Sequence, residues 1–277
     1  MDTGIAPFNG IDVIATLAGL TWIFSSQNDA EKILRGYDLI PKKMRLRMLT
    51  EEERQRISTE FSSAAKPIEF HKNGVIVLEL KDTSYSNLIE PYYNLLGKAL
   101  LSFRLYKPGN VFIDGLYPTK HIPSIGKPDA LPTRPLPQVT PCYTLSSEEI
   151  DGILKILKKL ESFDFENKHR FRIACKRFEN YYFSYSIEDT LIDLMIIFEA
   201  LFIYGRKGNK GYLIGKRCSE KIKKDKAEQN VIYKQLKESY NIRNDILHGS
   251  PFNISDILQR LPVLEDYSRR SILHLIP

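Results

Sequence analysis

The stretch "IEDTLIDLMIIFEALFIYG", residues 187–205, decides how the second half of this chain is read. From Leu194 to Tyr204 its side chains are apolar nearly all round, with Glu199 the one charged residue. A helix with no polar stripe has no face to offer water, so it belongs at the centre of a bundle. Helical spacing recurs on both sides of it. "SSEEIDGILKILKKLESF" (146–163) opens on Ser146 or Ser147 as N-cap and repeats leucine and isoleucine at three and four. "NKHRFRIACKRFENYYFSYS" (167–186), "NKGYLIGKRCSEKI" (209–222), "AEQNVIYKQLKESYNIRNDILHG" (227–249) and "NISDILQRLPVLEDYSRRSILHLI" (253–276) continue the pattern, the last with Pro262 expected to kink or divide it. Residues 145–277 therefore read as an all-α bundle of five or six helices.

Working outward, seven of the fifteen prolines fall between Tyr117 and Cys142. That density forbids regular helix and central strand, so 117–144 reads as an extended loop or linker. Residues 1–116 mix periods. "IEFHKNGVIVLEL" (68–80) suggests a hairpin about Asn73-Gly74, and "NVFIDGLY" (110–117) a further strand. Leu88–Tyr106 has helical spacing, and Thr50 with Glu53 forms a capping-box pattern ahead of another helix. The fold class expected is α+β: a small N-terminal α+β domain of unknown role, followed by the helical bundle.

The chain has 277 residues and a formal charge of +6. Arg206 to His248 holds twelve Lys/Arg against five Asp/Glu, a net of +7, so this one segment accounts for the excess. A solvated lysine face suits Lys221–Lys226, but an anionic partner fits the charge as well. Three widely spaced cysteines show no metal-ligand spacing, which suits a reducing interior. The apolar run Ile11–Phe24 is interrupted by Asp12, is too short to span a bilayer, and follows no basic start. The expectation is a cytoplasmic protein with no membrane association, no cofactor and no metal.

The basic run ends in "ESYNIRNDILHGS" (238–250). A helix from about Ala227 should stop at His248, because Gly249 suits the left-handed C′ position and Pro251 forbids continuation. His248 then sits in the last turn, where the helix dipole favours the imidazolium, with Asn244 and Asp245 placed to flank its ring. Arg243, five residues back, is rotated by roughly 140° on an ideal helix, so spacing permits a shared site without demanding one. An arginine to hold a phosphate and a histidine to move a proton are a minimal kit for RNA cleavage. Glu199 needs a cation in its apolar helix, and Arg217 or Arg243 can supply it.

"DTLIDLMIIFEALF", "GKRCSEKI" and "YKQLKESYNIRNDILHG" together resemble the Apea-like branch of the HEPN superfamily, convincingly over about 189–250 and more loosely over 145–277. "LLGKALLSFRLYKPGNVF" (95–112) resembles the region preceding the bundle in such proteins. That family carries an Arg-x4–6-His motif with a polar residue after the arginine, matched here by Arg243, Asn244 and His248. The resemblance implies a metal-independent endoribonuclease of toxin–antitoxin, phage-defence or RNA-processing systems. It implies RNA as substrate, a homodimer joined through the bundle, and an antitoxin or regulatory protein as further partner. Arg243 would clamp the phosphate, His248 act as acid or base, and Asn244 orient either. Glu199, Arg217, Asp245 and Tyr240 would support them, Tyr240 by stacking a base or as a buried aromatic. Two other readings stay open: a catalytically silent module binding RNA, nucleotide or a partner protein, and a bundle that only dimerises while the α+β half senses. The apolar Leu191–Tyr204 helix and the "SILHLIP" tail offer surface for a dimer, or else are simply core.

Overall fold

The computed structural model describes residues 11–18, 20–23, 27–61, 76–83, 95–119, 142–184, 186–203, 205 and 208–276. These fall into two compact units. The first holds the described residues up to Phe103 together with 109–119 and Cys142–Leu157; the second holds Arg104–Pro108 and the described residues from Lys158 onward.

The first unit is built on an antiparallel sheet. Strands β1 (Ile11–Ala18), β3 (Tyr37–Ile40), β4 (Met44–Met48), β5 (Ile76–Thr83) and β6 (Phe112–Pro118) lie in the order β3-β4-β5-β1-β6. The apolar run at Ile11 is thus an inner strand, with Val13–Leu17 buried between β5 and β6. A short parallel pair, β2 (Leu20–Trp22) with β7 (Tyr143–Leu145), stands apart from this sheet. Helices α1 (Gln27–Arg35), α2 (Glu51–Phe61) and α3 (Leu95–Tyr106, of which Leu95–Phe103 belongs here) complete the unit. Ile14, Leu49, Ile57, Val77 and Tyr117 form one apolar cluster beneath α2 and the sheet.

Helix α2 starts where its capping box requires. The Thr50 amide donates to Glu53 Oε2 at 3.0 Å, and the Glu53 amide donates to Thr50 Oγ1 at 3.2 Å. The same carboxylate takes both terminal nitrogens of Arg47 at 2.7 and 2.8 Å, while Arg47 Nε reaches Glu79 on β5 at 2.9 Å. Burial acts against the charged Glu53, but hydrogen bonds from Arg47 and Thr50 hold its carboxyl down at about 2. The Asn73-Gly74 turn, residues 88–94 and the proline-rich segment 120–141 lie outside the described residues; the second half of the expected hairpin is β5.

The second unit is all helix. In the first unit a 3₁₀ turn (Ser147–Glu149), with the Ser146 amide donating to Glu149 at 3.0 Å, leads into α4 (Ile150–Ser162), and the boundary between the units falls inside that helix, after Leu157. Then follow α5 (His169–Tyr181), α6 (Ile187–Phe202), α7 (Lys210–Ile222), α8 (Lys226–His248) and α9 (Ile254–Leu275). Helix α6 is the central one, with Leu191, Leu194, Met195, Ile197 and Phe198 fully buried. Most of its apolar side chains are therefore core, while Ile192, Ile196, Ala200 and Leu201 are partly exposed. Ile272 and Ile276 of the C-terminal tail are buried as well. Pro262 does not divide α9, which runs unbroken through it. The proline is exposed while Ile257, Leu261, Leu264 and Ile272 bury the opposite side, and that burial outweighs the loss of one backbone hydrogen bond.

A buried polar chain lies among these helices. Arg104, wholly buried, donates to Glu179 on α5 and stacks over Tyr182 at 4.4 Å and Phe183 at 4.7 Å. The Tyr182 hydroxyl donates to Glu265 on α9 at 2.8 Å. Burial pushes the Glu265 carboxyl up to about 7, against the pull of Arg269 and the Tyr182 hydrogen bond. A raised carboxylate means the folded state binds the extra proton between pH 4.5 and 7, so this group lowers stability as pH rises through that window.

Glu265→Gln should therefore stabilise the chain by about 1–3 kcal/mol at pH 8 and change little at pH 4.5. Urea titrations followed by far-ultraviolet circular dichroism at the two pH values check this. Glu53→Gln should do the reverse: it costs stability at neutral pH, and the loss fades as pH falls from 4.5 toward 2. The single tryptophan, Trp22, reports that unit by fluorescence.

Candidate functional site

Helix α8 ends as its sequence dictates. Asp225 caps its start, accepting from the Glu228 amide at 2.9 Å. At the other end Gly249 has φ of +70°, its amide donates to Ile246 O, and the Ser250 amide donates to Asp245 O at 2.8 Å. This paired closure needs a left-handed residue, which glycine adopts without strain. His248 is the last helical residue and is exposed, and among the described residues no hydrogen bond or ion pair joins it to another side chain. Leu247, half exposed, and the exposed Phe252 and Ile254 surround it in sequence.

Arg243 stands in a different environment. Its Nη2 lies 3.3 Å from Glu199 Oε1 on α6, and its Nη1 donates to Asn244 Oδ1 at 3.2 Å. The guanidinium also sits 5.6 Å from the Tyr240 ring centroid. The two charged side chains are 18% and 22% exposed, so the pair is largely withdrawn from water. Of the two cations open to Glu199 from the sequence, Arg243 is the one that meets it. Arg217 instead donates to the Phe202 carbonyl, closing the C-terminal end of α6. Lys210, which sequence reasoning passed over, is the second cation, with Nζ 3.9 Å from Glu199 Oε2. It is the first residue of α7, held there because Asn209 accepts from the Tyr212 amide at 3.0 Å.

Tyr240 is buried, and burial followed by the nearby Glu199 carboxylate pushes its hydroxyl pKa up, while Arg243 pulls it down. It packs on Gly211, where a Cβ would meet its ring at 3.1 Å, so it is not open to stack a base. Asn244 spends its amide oxygen on Arg243. Asp245 supplies the carbonyl that closes the helix end. The structure thus gathers Glu199, Lys210, Tyr240, Arg243 and Asn244. It leaves His248 exposed one turn beyond Asn244, and it sends Arg217 elsewhere. The missed lysine had no signal in its spacing, because only the packing of α6, α7 and α8 brings it in.

One cleft of about 370 Å³ lies away from this cluster, lined by Arg177, Asn180, Phe183, Ser184, Asp189, Ile192 and Asp193. Its arginine is committed to Asp193 at 2.6 Å, and it holds none of the motif residues.

The two halves of the motif should respond differently to truncation. His248→Ala should alter unfolding free energy by no more than about 0.5–1 kcal/mol, as for an exposed residue at a helix end. Arg243→Ala should cost about 1–3 kcal/mol, because the largely buried Glu199 is left with only its longer contact to Lys210. In a double-mutant cycle, Arg243→Ala in a Glu199→Ala background should cost less than in the native chain, read by urea unfolding. No family model, no curated protein and no solved structure matches this chain.

Proposed function

We propose that the helical unit is a metal-independent endoribonuclease of the HEPN type. The observation that supports it best is the end of α8, where Arg243 is anchored and His248 is exposed on the same short segment. On this reading Arg243 holds the scissile phosphate with the Nη hydrogens not consumed by Glu199 and Asn244. A histidine takes the proton from the ribose 2′-hydroxyl, which attacks the adjacent phosphorus. A second acid returns a proton to the leaving 5′-oxygen, leaving a 2′,3′-cyclic phosphate and a 5′-hydroxyl. Asn244 fixes the arginine's orientation rather than touching substrate.

In-line displacement needs base and acid on opposite sides of the phosphorus, and each chain brings one motif histidine. A two-fold dimer joined beside the α8–α9 turn would bring two, with Leu247, Phe252 and Ile254 as the apolar surface for that contact. The reading of a silent binding module is favoured by one specific observation: Arg243 already has a carboxylate partner, which suits a purely structural cation.

Purified protein incubated with RNA in excess EDTA should yield cyclic-phosphate ends, and His248→Ala should lower the rate by at least about a hundredfold. Loss of cleavage in the chelator, restored by magnesium, would refute the assignment. An unchanged rate in the variant would refute it equally. Light scattering on a sizing column should give twice the chain mass for the native protein. The Phe252→Glu, Ile254→Glu double variant should run as a monomer with cleavage greatly reduced.

A further inference from the structure

We propose that the outer edge of the seam between α7 and α8 is a path for single-stranded RNA that leads to the Arg243–His248 end of α8. The inference rests on the ribonuclease reading for its direction, but its chemistry stands on other residues. Gly215 faces Tyr233 and Gly211 faces Tyr240, so the two helices run antiparallel and pack closely. A Cβ at Gly215 would lie 2.8 Å from the Tyr233 ring and 3.0 Å from its carbonyl oxygen. The close approach sets the rings of Tyr212 and Tyr233 edge to face at 5.9 Å, with Tyr212 43% exposed. Lys216 Nζ lies 5.9 Å from the Tyr212 ring centroid and Lys237 Nζ 6.0 Å from that of Tyr233. Aromatic rings and lysines therefore alternate across two helices.

Charge on this edge is uncompensated. Glu228 is bridged to Lys223, Glu238 to Arg260, and Glu199 to Arg243 and Lys210. Among the described residues Lys216 and Lys237 have no carboxylate partner. Glu220 stands four residues after Lys216 on α7 but forms no ion pair with it among the described residues, and Asp225 is taken up in capping α8. On α8, Tyr233 and Lys237 are four residues apart on one face, and Arg243 follows ten residues after Tyr233. Tyr233 to Arg243 spans roughly 15 Å of helix, room for about four nucleotides at a stacked spacing of ~3.4 Å. A base has a π-face for the exposed tyrosine and a phosphate has a charge for each lysine, whatever the sequence. A duplex hides its bases and gains only the lysines.

Fluorescence anisotropy of the full-length His248→Ala chain with a short labelled oligouridine reads binding without cleavage. Lys216→Ala with Lys237→Ala should weaken binding about tenfold and reduce the salt slope by about 1.4, for two single-strand phosphates. Tyr212→Ala should weaken it roughly 5- to 100-fold, and Tyr212→Phe should restore it, because stacking uses the ring and not the hydroxyl. Affinity unmoved by these variants, or no binding at all, overturns the path. So does a Tyr212→Ala protein that binds the oligonucleotide normally while the lysine variant loses it and phosphatidylserine vesicles alike, which marks a plain polyanion surface. If the seam binds RNA but the native chain never cleaves it, the path stands and the catalytic reading falls. If the native chain cleaves RNA and the seam variants bind normally, the path alone falls.

Discussion

A carboxylate in the apolar stretch 194–202 of the central helix is the constraint on which the end of α8 depends. Glu199 is largely withdrawn from water, and a carboxylate so placed is costly unless it is paired. Arg243 meets it from α8 and Lys210 from α7, so one charge fixes the rotation of one helix and the start of another. Burial of Ile232, Leu236 and Tyr240 turns the same side of α8 inward, and the ion pair ties that orientation to α6. That is why Arg243 is largely withdrawn from water although it lies within two turns of an exposed helix end.

The close approach of α7 and α8 is the second half of the same construction. Glycines at 211 and 215 are four residues apart and therefore on one side of α7, and each receives a tyrosine of α8. The exchange trades helix propensity, about 1 kcal/mol for each glycine against alanine, for packing against two large rings. It also decides which aromatics stay at the surface. Tyr240 goes inward, beside the Glu199–Arg243 pair, whereas Tyr212 is left exposed with Lys216 above it.

What could be read in the sequence was whatever is local. Thr50 with Glu53 and Gly249 after His248 each satisfy their own helix end within a few residues, so their patterns carry the structure with them; of the two serines open as N-cap, Ser146 is the one whose amide meets Glu149. The apolar run of α6 announced its burial for the same reason. Strand β1 was not legible as a strand, because both of its neighbours are distant in sequence and its apolar run lacks alternation. Pro262 is the opposite case: the local rule allowed a kink or a division, and with four buried side chains on the far side α9 is not divided there. At the candidate site, spacing left Arg217 and Arg243 equivalent as partners of Glu199. Only the packing of three helices separates them, and the same packing brings in Lys210.

The position of the motif carries a physical tension that bears on any anionic ligand there. A helix C-terminus presents carbonyl oxygens and the negative end of the dipole, which favours a protonated histidine but repels phosphate. Anion sites are ordinarily built on helix N-termini. At the end of α8 the deficit must be met by other groups, and three are at hand. Each Nη of Arg243 retains a hydrogen beyond its contact with Glu199 or Asn244. Lys210 is half exposed, and at 3.9 Å it is only loosely held by Glu199. Lys210 is also the first residue of α7, so the positive end of that helix dipole falls beside the same carboxylate. Glu199 then has a second consequence on the proposed reading. A phosphate drawn to Arg243 and Lys210 must compete with it for both cations, so binding is strongest for a ligand bearing more than one negative charge, such as a stretch of nucleic-acid backbone.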